Sequence, residues 1–451
     1  MYIAPVSSPA DLGVVDAAAA LARRQSSSVE LVSACLERIR ERDGEQSFDG
    51  SASSVNAWVR VYEEDALAAA ARADARRARA DAGPLCGVPV ALKDLYAVAG
   101  KPLTASSRVL DPVPSRDCAA WSRLEAAGMV LLGHVHTHEF AAGGTTDQVG
   151  NPHALDRSAG GSSGGSAAAL ASLTTPAATG TDTAGSLRIP SALCGTATIK
   201  PTRGLVPLDG IVPLAPSFDH AGPMARTVAD CEPLLAALAG VARPPEERRP
   251  PRRVAVSPRI ADLDPDVAAG FDEALAQLPV VAAAPPDVEL DLGRMLLDVL
   301  TAEMLAYHRR FDEQRALYRP STRGYLEYAE RRALTVDEHT KAQLRRVEDT
   351  ERWVDWFDTN GVDAILEPTV PIVARPRGHG YEAPFTDLAE ISLTHYWDWT
   401  GFPVVALPAG VGSRSGLPVG VSLVGRPGAD WDLLAAGADL QSQLGSPFPA
   451  I

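Results

Sequence analysis

The apolar positions of this chain change period several times, and each change marks a switch between helix and strand. In DAAAALARR, SSVELVSACLERIRERD and EEDALAAAARADARRARADAG the apolar side chains recur three and four apart, between charged or glycine-containing stops. Residues 1–81 are therefore expected to form an N-terminal helical region with short breaks. GVPVALKDL (87–95) is a continuous apolar run bounded by glycine, the pattern of a buried strand. SRLEAAGMVLLGHV passes from helix to strand, and RRVAV followed by DLDPDVAAGFDEALAQLP passes from strand to helix. VDAILEP, VVALPAGV and VGVSLVG add three late core strands. Alternating elements of this kind predict an α/β protein with helices covering a central sheet.

The Pro- and charge-rich stretch ARPPEERRPPRR (242–253) divides a glycine-rich, strand-dense half from a more helical one. It is either a linker or a surface loop within one domain. The late strands favour the second reading, since they are expected to join the same sheet. No internal repeat is visible.

Composition narrows the function more than the fold. The 451 residues are 46% hydrophobic and 22% charged, with a net charge of −15. No basic run is long enough for nucleic acid or an anionic membrane to be the main partner. The five cysteines are odd in number, dispersed and without a C-x-x-C pair, which predicts reduced, buried thiols rather than a zinc or disulfide framework. The N-terminal segment MYIAPVSSPADLG lacks a basic n-region, and no run approaches 18 apolar residues. A cytoplasmic enzyme is the expectation. Only four of the 42 basic residues are lysines, at 93, 101, 200 and 341. A lysine in an apolar setting therefore draws attention, because arginine does not replace a group that must lose its proton.

Candidate chemistry begins at GGSSGGS (160–166), where Gly160-x-Ser162-x-Gly164 and Gly161-x-Ser163-x-Gly165 both match the nucleophile-elbow pattern. An elbow needs a strand before it and a helix after it. The helix is present in SAAALASL, but NPHALDRSA is polar and turn-like, so the elbow, with His220, His308, His339, His379 or His395 as base, is disfavoured. A phosphate cradle is weak too, because neither Gly-Lys-Ser/Thr nor G-x-G-x-x-G is present. His134, His136 and His138 would share one face of a strand and suggest a metal site. Without a carboxylate- or cysteine-rich partner motif, histidines at polar positions of a strand end are the plainer reading. GTDTAGSLRIP (180–190) holds a second glycine-flanked serine, Ser186, in a run of small residues whose N–H groups would converge on an oxyanion. Lys93, in VPVALKDL, lies among apolar residues. Desolvation there would lower its pKa and make it a base, unless it merely pairs with Asp94.

GPLCGVPVALKDL, SAGGSSGGSAAALA and GTDTAGSLRIPSALCGTATIKPTRGLVP together resemble the amidase signature family. The similarity runs outward through GHVHTHEFAAG, PLAPSFDHAGPMARTVAD, DAILEPTVP, WTGFPVVALPAG and GLPVGVSLVGRP, so that it covers nearly the whole chain. The resemblance implies a single α/β domain over 1–451, with a central mixed twisted sheet covered by helices on both faces. It implies Ser186 as nucleophile, Lys93 as ultimate base and Ser162 as proton relay behind a cis Gly161–Ser162 bond. It further implies an oxyanion hole from the amides of Thr183, Ala184, Gly185 and Ser186, support from Ser163, Asp182 and Arg188, and no metal or organic cofactor. Phe140, Ala141, Gly143 and Trp397 are the candidate pocket residues.

The chain departs from the family pattern at Ala184, at His134 and His136, at Glu367 and at Asp398. The expected activity is amidohydrolysis of a small carboxamide or acylamide, with a small-molecule amide as partner and a homodimer left open. Alternatives are the glutaminase subunit of a tRNA-dependent amidotransferase, a metal-dependent hydrolase using His134, His136 and His138, and a non-catalytic binding subunit with the same fold.

Overall fold

A computed structural model describes residues 8–241, 251–260, 262–289 and 292–445. Its centre is a sheet of ten strands: β1 (Trp58–Val61), β2 (Pro89–Lys93), β3 (Val130–Val135), β4 (Ala177–Asp182), β5 (Ala197–Lys200), β6 (His220–Ala225), β7 (Val254–Val256), β8 (Ala364–Pro368), β9 (Val404–Val411) and β10 (Pro418–Val424). They lie in the order β1-β3-β2-β4-β6-β5-β9-β10-β8-β7. Parallel pairs β2–β3, β2–β4 and β7–β8 are mixed with antiparallel ones, among them β4–β6, β5–β9 and β9–β10. The late strands do join the sheet that holds β2.

Every residue of β2, β4, β5, β6, β8 and β10 is buried. A strand covered on both faces has no need of alternation, which is why these segments are continuous apolar or small-residue runs. Helices supply the cover. Ser28–Arg42 opens on a capping box of Ser27 and Glu30 and buries Leu31, Val32, Leu36 and Ile39. The helices Gly164–Ala171 and Arg188–Cys194 are wholly buried, the latter packed on β5, β9 and β10.

Two expectations need correction. The 1–81 region is not purely helical, because Trp58–Val61 forms β1 at the sheet edge. Four residues with only Trp58 fully buried carry too short an alternation to be recognised. The polar stretch before GGSSGGS contains a strand, Ala154–Ser158, which pairs antiparallel with Gly150–Asn151. It belongs to this separate two-stranded hairpin, not the central sheet, so it does not make an elbow. Most of the 242–253 segment lies outside the described residues.

The glycines of 160–166 are explained by close approach. A Cβ on Gly161 would sit 2.0 Å from the Thr145 carbonyl oxygen, and one on Gly165 would sit 2.5 Å from both the backbone N and O of His136. Backbone atoms on neighbouring segments cannot swing aside as a side-chain tip can. Gly165→Ala is therefore expected to destabilise the protein by about 1–3 kcal/mol, the usual cost of overpacking. The shift of the urea-unfolding midpoint measures it.

Candidate active site

Lys93 is the last residue of β2, and its side chain is fully buried. Its Nζ lies 2.8 Å from each of three hydroxyl oxygens: Ser162 Oγ, Ser163 Oγ and Thr181 Oγ1. Ser162 and Ser163 come from the turn that opens the helix Gly164–Ala171, while Thr181 comes from β4, which neighbours β2. Among the described residues no carboxylate joins this group. Asp94 is turned elsewhere, accepting from the Thr104 and Ser106 amides and the Thr104 hydroxyl. The possibility that Lys93 merely pairs with its neighbour is thereby settled against. Burial pushes the Lys93 ammonium down from 10.5 to about 7, against a smaller upward pull from the charges of Asp182 and Asp219.

The turn carrying the two serines is held from several sides. Its Gly161–Ser162 peptide bond is cis. The Ser162 carbonyl accepts from the His138 amide at 2.9 Å and from Thr146 Oγ1 at 3.1 Å. The Ser163 amide donates to the Ser186 carbonyl at 3.3 Å, tying this turn to the loop after β4.

That second loop, 183–187, is braced by a buried ion triad. Asp182, at the end of β4, accepts the Gly185 amide at 2.5 Å and the Leu187 amide at 3.2 Å. Arg188 holds both Asp182 oxygens, at 2.9 and 3.0 Å, and reaches Asp398 Oδ2 at 2.6 Å and the Thr394 carbonyl at 2.9 Å. All three side chains are fully buried, and the two carboxylates keep the guanidinium charged. The Gly185 amide is thus already engaged. The amides of Thr183, Ala184 and Ser186 have no hydrogen-bond partner among the described residues. Ser186 Oγ likewise has none, and it lies at the wall of a cavity.

The cavity redraws the list of pocket residues. Ala141 and Gly143 line it, together with Leu214, Leu300, Met304 and Asp387, which the sequence reading did not find. Phe140 does not reach it. Its ring is fully buried among His308, Phe311 and Tyr318, and its positive φ of 51° turns the chain so that the next residues face the cavity. Trp397 also lies elsewhere, stacked on Phe402 and donating its indole N–H to Glu367 at 2.7 Å. A buried indole needs both a packing surface and an acceptor, and this interior site supplies them. Thr181 was missed too, because a threonine inside a buried strand carries no distinguishing pattern. Leu300 and Met304 come from the helix Gly293–His308, more than a hundred residues from Ser186, and no local signal ties them to it.

The three histidines go to separate partners. His134 bonds the Tyr62 hydroxyl and the Tyr96 carbonyl, His136 bonds Ser106 and Gln148, and His138 bonds the Thr145 carbonyl. Burial pushes His136 and His138 down to about 3, so both rings are neutral at ordinary pH. Among the described residues no group of three His, Cys, Asp or Glu side chains is placed to hold a metal ion.

The amidase family model matches residues 30–434. The chain belongs to the amidase signature family. Members of this family hydrolyse amide C–N bonds, and this chain is such a hydrolase. It is 35% identical to an amidase of Pseudomonas putida, with 96% of each chain covered. It is 34% identical to a glutamyl-tRNA(Gln) amidotransferase subunit of Roseiflexus sp. (strain RS-1), covering 94% of this chain and 95% of that one. A crystal structure of an amidase superposes with a TM-score of 0.84 at 31% identity, covering 96% of this chain and all of the other. The expected fold, a mixed sheet wrapped by helices in a single α/β domain, is that of the family's structures. No helix among the described residues is long and apolar enough to cross a membrane.

Removing Arg188 would leave two buried carboxylates unpaired. Arg188→Met is expected to cost about 3–5 kcal/mol of stability, as read from urea unfolding.

Proposed function

We propose that the chain hydrolyses a small-molecule amide through an acyl-enzyme on Ser186, with Ser162 passing protons to and from Lys93. The observation that carries this reading is the Lys93 amine, fully buried and surrounded by hydroxyls, with no carboxylate bonded to it among the described residues. Of the two serines, Ser163 has its proton committed, donating to the Thr181 carbonyl at 3.3 Å. Ser162 has no such acceptor among the described residues, so its proton is the one available to the lysine lone pair.

In this mechanism Ser186 Oγ attacks the amide carbonyl carbon. Its proton moves to Ser162 Oγ as the Ser162 proton moves to Lys93 Nζ, and the carbonyl π pair moves onto oxygen. The oxyanion accepts from the amides of Thr183, Ala184 and Ser186. Gly185 is left out of the four-amide set because its N–H already serves Asp182. Asp182 and Arg188 act as positioning residues that hold this loop in shape before substrate arrives. The proton then returns through Ser162 to the amide nitrogen, the C–N bond breaks and the amine leaves. Water attacks the resulting ester and gives a proton to the same relay; as the Oγ–C bond breaks, the relay returns that proton to Ser186 Oγ and the carboxylic acid leaves. The residues named here require no cofactor for these steps.

One observation favours a second reading, the glutaminase subunit of an amidotransferase: the 34% identity to such subunits over nearly the whole chain. That reading requires weak amide hydrolysis by the purified chain and strong stimulation by partner subunits. The independent amidase turns over amides at full rate alone.

Ser186→Ala is expected to abolish labelling by a fluorophosphonate probe and steady-state amide hydrolysis, and labelling that persists at another residue overturns the nucleophile. Lys93→Ala is expected to lower kcat by about 10²–10⁴, the usual worth of a general base. The base must be the neutral amine, and its pKa in the fold is about 7. Below pH 7 the ammonium dominates, so kcat/KM is expected to fall about tenfold per pH unit there and to reach a plateau above it. A rate that keeps rising to pH 10 would place the base elsewhere.

A further inference from the structure

The cavity beside Ser186 says what kind of acyl group it takes, an inference that rests on the Ser186 reading above. Its volume is about 50 Å³, and most of its wall is aliphatic: Leu214, Leu297, Leu300, Met304 and Ile391. Against that wall stands one charged side chain, Asp387, which is only 5% exposed. Its Oδ2 accepts the Gly144 amide and its Oδ1 accepts the Tyr325 hydroxyl at 3.1 Å. Both partners are neutral, and no ion pair reaches Asp387 among the described residues. The cation near it, Arg375, is spent on Glu390, whose two oxygens it holds at 2.6 and 2.5 Å.

A carboxylate so enclosed, without a counter-charge, sets the field of the pocket. A substrate carboxylate entering it would lose its water and meet a like charge with no cation in the lining, which is doubly unfavourable. A substrate ammonium would meet an acceptor that still has lone pairs free, and charge-assisted hydrogen bonds of this kind are the strong ones. An aliphatic chain between the scissile carbonyl and that ammonium would match the rest of the wall. We infer that the site selects short aliphatic acyl groups that carry a terminal ammonium and rejects those that carry a carboxylate, with Asp387 as the substrate-binding residue that makes the distinction. Free glutamine, the substrate of the glutaminase alternative, brings an α-carboxylate for which the lining has no cation.

The test uses three amides of similar size: 3-aminopropanamide (cationic), butanamide (neutral) and succinamate (anionic). Ammonia release by the wild-type full chain at pH 8 gives kcat/KM for each. The cationic amide is expected to exceed the anionic one by at least about 100-fold, and this ratio is expected to fall by about 10- to 100-fold in Asp387→Asn. A purely structural role for Asp387, holding Gly144 and Tyr325, would lower all three substrates together and leave the ratio intact; that outcome overturns the inference. So does succinamate turnover within a few-fold of 3-aminopropanamide in the wild type.

Protection of Ser186 from a fluorophosphonate probe by the same three amides gives the order without any variant, should Asp387→Asn not fold. Ser186 that labels but is protected with no charge order overturns the inference alone. Ser186 that does not label at all overturns the nucleophile reading, and the inference with it.

Discussion

The interaction on which the rest of this structure depends is the burial of an amine among hydroxyls. Water normally solvates an ammonium with several acceptors, and Lys93 recovers three of them, at 2.8 Å each, from Ser162, Ser163 and Thr181. Hydroxyls both donate and accept, so they solvate the neutral amine as well as the charged one. A carboxylate in their place would have fixed the proton on nitrogen. Burial alone does not make this site, as Lys200 demonstrates. It is equally buried and pushed down to about 7, yet among the described residues its Nζ meets only the Pro201 carbonyl at 3.2 Å, which accepts but never gives a proton.

Holding those hydroxyls in place consumes much of the surrounding architecture. Ser162 and Ser163 stand on a turn that other backbone segments approach too closely for any Cβ at Gly161 or Gly165. Ser186 stands on a loop whose amides are aimed by Asp182, itself clamped by Arg188 and through it linked to Asp398. The two loops meet in a single backbone hydrogen bond, from Ser163 to Ser186. Glycine packing and the buried ion triad thus serve one end, a fixed relation between an amine on β2 and a hydroxyl after β4.

Some elements of this fold are specified locally and others only by distant contacts. The buried strands were legible because continuous apolar runs such as GVPVALKDL and VVALPAGV leave little else to be. The small-residue blocks were legible because only close backbone approach calls for so many glycines. Trp58–Val61 was not, since four residues at a sheet edge hold only two periods of alternation. Ala154–Ser158 was hidden by its polarity, which a half-buried strand paired outside the central sheet tolerates. Phe140 and Trp397 were expected at the pocket, but both rings pack inside the core.

Residue identity and spacing along the chain were enough to indicate the fold class and the family and to single out the few side chains we propose do the chemistry. Lysine in an apolar strand, paired serines among glycines and a third serine in a small-residue loop are local statements, and local physics limits what they mean. Tertiary structure alone decided that Thr181 completes the lysine's shell, that Gly185 serves Asp182, and that a helix a hundred residues away walls the cavity with Leu297, Leu300 and Met304. It also decided that Asp387 is left without a cation beside Ser186. The charge balance of a pocket depends on which distant segments converge there and on which of their ions are already paired, and neither fact is written in the order of the residues.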